Sequence, residues 1–142
     1  MLNPSHFHPM LVHFPIALVF FGFLAELAAL FIKKEACLSK MGFFLLLLGT
    51  LSAIAAVLSG VLFTAEMEGT AGEVMKTHEL FAYIALSLLV AASLTRIYIM
   101  VRNSEKSNPK RLAFLLYALA ALSVSITGFF GGTLVFNYMM PL

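Results

Sequence analysis

Four apolar runs dominate this chain, roughly Met10–Ile32, Met41–Phe63, His78–Val101 and Leu112–Phe136. Each is long enough to cross a hydrocarbon core ~30 Å thick as a helix. In lipid, every backbone N–H and C=O must be satisfied within the protein, and runs without alternation can do this only as helices. With 61% hydrophobic and 11% charged residues in 142 positions, no stretch is left for a separate soluble domain. The expected fold is an all-α membrane protein, a single domain over 1–142 with helices at about 10–32, 41–63, 71–102 and 111–136. Short connections make consecutive helices antiparallel neighbours, giving an up-down-up-down four-helix bundle.

The charges set an expected orientation. Lys33, Lys34 and Lys40 lie between the first two runs; Arg102, Lys106, Lys110 and Arg111 lie between the last two. The middle connection carries Glu66, Glu68 and Glu73 against a single Lys76. Positive loops stay cytoplasmic, so both termini and the middle loop are expected outside. The basic loops suit an anionic inner leaflet and call for no nucleic acid. Met1–Met10 has no Lys or Arg, and the run after it is too long for a signal-peptide core, so no cleaved leader is expected. Cys37 is the one cysteine, which excludes an internal disulfide and a CxxCH haem attachment.

Several local signals refine the helices. Pro9 suits a first helical turn, Pro15 predicts a bend, and Thr70-Ala-Gly-Glu73 reads as a capping box opening helix three near Ala71. Asn108-Pro109 is expected to precede helix four. Small residues recur at four-residue spacing, as Ser52, Ala56 and Gly60, then Ala121 and Ser125, and Gly128 and Gly132, where helices can press together. Each half has a histidine near an inbound helix start, a basic loop, and an outbound helix closing on glycine. Ser59-Gly60-Val61-Leu62-Phe63 compares with Gly131-Gly132-Thr133-Leu134-Val135-Phe136. This predicts a parallel two-helix repeat with its axis along the membrane normal.

The histidines carry the chemistry. His6, His8, His13 and His78 all fall at one end of the expected bundle. An imidazole near hydrocarbon needs a partner. His13 could simply bond the carbonyl freed by Pro15, and His78 could face water beside Glu79. The sharper expectation is a bis-histidine haem site, with His13 and His78 facing each other from diagonal helices and Gly60, Gly128, Gly131 and Gly132 giving room for the macrocycle. Lys76 is close enough in sequence to meet a propionate. A competing expectation is a Zn or Cu site built from His6, His8 and further imidazoles. His8 and His13 are about 140° apart around a helix at 3.6 residues per turn, so they cannot chelate from one face. Glu26 and Arg96 lie in helices one and three; they either pair across the bundle or Arg96 snorkels to the headgroups. No Ser-His-Asp set, phosphate loop or hydrolase carboxylate pair appears, so a carrier or binding role is favoured over an enzyme.

The segment His8-Pro9-Met10-Leu11-Val12-His13-Phe14-Pro15-Ile16-Ala17-Leu18 resembles the signature of a bacterial membrane family catalogued as domain of unknown function 2231. The resemblance extends to the Ser-Gly-Val-Leu end of helix two, the histidine opening helix three, and Gly131–Phe136. It points to His8, His13, His78 and the Gly131-Gly132 pair. Family members often place a histidine after the last motif, where this chain has Asn137-Tyr138, so the resemblance implies one site rather than two.

Together these features predict a haem-b-binding, cytochrome-like electron-transfer protein of the bacterial cytoplasmic membrane. Its expected partners are the lipid bilayer, a quinol donor and a periplasmic or membrane redox protein, and self-association into a homo-oligomer is compatible with the pattern. The alternatives are a non-redox scaffold or subunit and an outer-face Zn or Cu protein.

Overall fold

The computed structural model describes residues 7–32, 36–104 and 106–138. Four helices account for nearly all of them: α1 (Phe7–Phe31), α2 (Ala36–Phe63), α3 (Gly69–Val101) and α4 (Ser107–Asn137). All four are long and apolar enough to span a membrane. Their 25, 28, 33 and 31 residues correspond to roughly 38–50 Å at the helical rise. That exceeds the ~30 Å hydrocarbon layer, so the helices must tilt or project beyond it.

The helices form two antiparallel hairpins, α1 packed along α2 and α3 along α4, with narrower seams between α1 and α4 and between α2 and α3. At the centre Val19, Leu46 and Leu89 are fully buried, joined by Ala92, Ala120 and Tyr117. Phe21, Leu51, Leu94 and Phe129 point outward and stay exposed. A helix that is apolar all round suits burial in lipid, where the outer face needs no polar cover. Close approach within the first hairpin depends on glycine. A Cβ at Gly49 would stand 2.8 Å from Val19 Cγ2, and one at Gly42 would stand 2.6 Å from Glu26 Cγ.

Helix limits differ from the sequence expectation in instructive ways. The α4 helix begins at Ser107, so Pro109 lies inside its first turn, where no intrahelical N–H is required. The α2 helix runs back to Ala36, continuing the apolar run through the polar segment that precedes it. The expected capping box does not form. Glu68 is the N-cap, with no side-chain cap bond, and Thr70 is already helical. The chain reverses instead at Gly69, with φ of 64°, a conformation that glycine adopts at least cost. The Met67 carbonyl then closes on Gly72, where a Cβ would meet it at 2.3 Å. At the other end of α3, Asn103 takes φ of 45°. Ser104 N–H donates to Ile99 C=O at 3.0 Å and Asn103 N–H to Met100 C=O at 3.3 Å, a Schellman stop built on asparagine.

Polar side chains tie the hairpins together away from the histidines. Arg96 Nη2 donates to Glu26 Oε1 at 2.5 Å and to the Ser39 carbonyl and hydroxyl at 3.1 Å each. The guanidinium also lies 5.7 Å from the Phe43 ring centre. The two charges therefore pair across the bundle, and Arg96 does not snorkel away from Glu26. Tyr117 donates to the Gly42 carbonyl at 3.4 Å, and Thr50 meets Ser93 midway along α2 and α3 at 2.9 Å.

Candidate functional site

At the end where α1 and α3 begin, a cavity of about 390 Å³ opens between the two hairpins. Its walls are mainly apolar, with Ala53, Ala56, Ala82 and Ala85 among larger side chains such as Ile16, Val57 and Val124, and with Glu79 beside His78. His8 enters from the first turn of α1 and His78 from α3. Their ring centres lie 6.4 Å apart, with planes at 89°.

Each ring is held by the outbound helix of its own hairpin. His8 Nδ1 lies 3.1 Å from the Ala56 carbonyl and 2.9 Å from Ser59 Oγ; His78 Nδ1 lies 2.9 Å from the Thr127 carbonyl. A carbonyl can only accept, so both Nδ1 atoms carry the proton. In a neutral ring that leaves the Nε2 lone pair free on both histidines. One turn beyond each carbonyl stands a glycine that seats the ring. A Cβ at Gly60 would lie 3.0 Å from His8 Cε1, and one at Gly131 3.1 Å from His78 Cε1.

The ring opposite His78 thus belongs to His8 and not to His13. His13 lines the same cavity, but it is exposed and donates from Nδ1 to its own helix at Pro9 C=O, 2.6 Å away. That carbonyl is also not the one freed by Pro15, which by helical spacing belongs to Leu11. The five-residue separation explains the difference, since His8 and His13 point about 140° apart around α1 and only His8 reaches the α2 carbonyl at Ala56. The glycines also divide in role. Gly60 and Gly131 are occupied by imidazoles, Gly128 faces Ile16, and a Cβ at Gly132 would meet nothing within 4 Å. The two glycine motifs compared in the sequence left the register open, and the contacts equate Gly60 with Gly131. Ser59 and the Ala56 and Thr127 carbonyls went unforeseen, because carbonyl direction is invisible in a string of side chains.

Two imidazoles on opposite sides of one metal, each bonded at roughly 2.0–2.1 Å, place their ring centres about 6.3–6.5 Å apart. The observed 6.4 Å falls within that span, and equally within the ~4.5–7 Å of an edge-to-face ring contact. A direct N–H···N bond would draw the centres closer, to about 5 Å. Donation of the other ring nitrogen to a carbonyl is the usual support of a metal-bound histidine. Among the described residues, no three His, Cys, Asp or Glu side chains are grouped to hold an ion by themselves. His6, expected in such a group, lies outside the described residues, as do Lys33 and Lys34. A flat macrocycle would have to supply the remaining ligands and lie in the gap between hairpins beside Ala53, Ala56, Ala82 and Ala85. No Lys or Arg among the described residues lines the cavity, and Lys76 stands outside the lining. Carboxylates on such a group would have to emerge at the open end of the bundle.

No curated protein and no solved structure matches the chain. Residues 4–141 match the family described as Predicted membrane protein (DUF2231). With nearly its whole length inside that match, the chain belongs to this family.

Proposed function

We propose that the protein is a b-type cytochrome-like electron carrier in which His8 and His78 would hold one haem between the hairpins. The observation that carries this reading is the imidazole pair itself, one ring from each hairpin, 6.4 Å apart, with each Nδ1 tied to a backbone carbonyl. A bound haem iron would supply a reversible one-electron change. The chain's own residues bind and orient. Ala56 and Thr127 direct the ring nitrogens, Gly60 and Gly131 seat the rings, and the mainly apolar walls surround the gap between them.

Orientation and repeat belong to the same reading. Positive loops keep the Glu26–Arg96 end cytoplasmic and set the histidine end outside a bacterial inner membrane. His78 follows His8 by 70 positions, as Arg96 follows Glu26; Gly131 follows Gly60 by 71, as Thr127 follows Ala56. Such a register supports a parallel repeat with its two-fold axis between the hairpins. A membrane quinol as donor and an outer-surface redox protein as acceptor complete the proposal.

A reduced-minus-oxidised spectrum of the detergent-purified protein from haem-replete cells tests it, with haem b bands expected at about one haem per chain. Colourless protein would overturn it in favour of a non-redox scaffold, because 6.4 Å also falls in the ~4.5–7 Å range of plain ring–ring contact.

A further inference from the structure

The two histidine seats share one plan, a backbone carbonyl at Ala56 or Thr127 with a glycine one turn on, and they differ in the residue before that glycine. Ser59 precedes Gly60, whereas Phe130 precedes Gly131. Phe130 stacks on Phe81 with centres 6.2 Å apart and offers His78 no hydrogen bond. Ser59 is 4% exposed; its hydroxyl donates to the Ala56 carbonyl at 2.7 Å and stands 2.9 Å from His8 Nδ1. With its own proton committed to Ala56, Ser59 Oγ presents lone pairs to the His8 Nδ1–H. That hydrogen is therefore shared between two acceptors on one side of the ring, while His78 Nδ1–H has one. Two acceptors define a direction about the ring axis that a single carbonyl leaves free.

We infer that Ser59 is a positioning residue that sets the rotation of the His8 ring and so holds it perpendicular to His78. The 89° between planes is the outcome. This inference rests on the haem reading only for its electronic consequence. The mutual rotation of two axial imidazoles governs how strongly the iron d orbitals are split. Perpendicular planes leave two of those orbitals nearly degenerate. A ferric haem held by these two rings would then give one highly anisotropic low-spin signal, whereas parallel planes would give a three-line rhombic spectrum.

The test is electron paramagnetic resonance of the oxidised purified protein, compared with Ser59→Ala and Ser59→Thr. The unaltered protein should give the highly anisotropic signal, Ser59→Ala should lose it in favour of a rhombic one, and Ser59→Thr should keep it. A Ser59→Ala spectrum identical to that of the unaltered protein would overturn the inference. Nitrogen-15 spectra of the histidine side chains in cofactor-free protein give a second readout. There the His8 Nδ1–H resonance should shift in Ser59→Ala while that of His78 stays in place. No shift at His8 would again overturn the role of Ser59. Protein that binds no haem yet shows the His8 shift would overturn the haem reading and leave the positioning role standing.

Discussion

His8 and His78, one from each helical hairpin, bring their rings to 6.4 Å at right angles at one end of the bundle. At the other end Glu26 and Arg96, from the same two helices, meet at 2.5 Å. The diagonal helices thus approach through polar side chains at both ends, with a mainly apolar cavity beside the first pair.

The imidazole pair separates the roles of three histidines. His8→Ala and His78→Ala should each abolish the haem b bands, since either change removes one of the two rings that would hold the haem. His13→Ala should keep them at near the unaltered amplitude, because that ring is exposed and bonded to its own helix. Visible spectra and haem content per chain decide this.

The glycines make a sharper comparison because the pairs are adjacent in sequence. Gly131→Val should displace the His78 ring and weaken cofactor retention by at least about tenfold, the equivalent of the roughly 1–3 kcal/mol that overpacking costs. Gly132→Ala should weaken retention far less, as its Cβ meets no protein atom within 4 Å and displaces neither imidazole. Titration of the cofactor-free protein with haem measures both.

Removing one partner of the ion pair leaves a buried charge behind. Glu26→Ala or Arg96→Ala alone should cost about 3–5 kcal/mol of folding stability. The double change Glu26→Leu with Arg96→Leu should recover most of that loss, because no uncompensated charge remains. Denaturation of the detergent-solubilised variants gives the comparison, with the haem spectrum unmoved wherever the fold survives.

The turn between hairpins depends on a left-handed residue. Gly69→Ala places a Cβ at φ of 64°, which should cost roughly 1–2 kcal/mol. Asn103→Gly, at the other left-handed position, should be neutral or slightly stabilising. Melting temperatures of both variants test this.

Much of the molecule could be read before folding. Run length and the absence of alternation dictate four membrane-crossing helices, and short connections dictate antiparallel neighbours, since lipid leaves the backbone no other way to satisfy itself. The depth of the histidines along their helices was likewise legible, as was the chance that Glu26 would find Arg96. Rotation about each helix axis was not. In a helix apolar on every side, hydrophobic periodicity marks no inward face, so His8 and His13 were equally eligible from composition alone. Only packing chose between them, once Gly42, Gly49 and Gly60 had let α1 settle against α2 with His8 beneath the Ala56 carbonyl. The equivalence of Gly60 with Gly131 was decided in the same way, by the backbone carbonyl that each imidazole must reach.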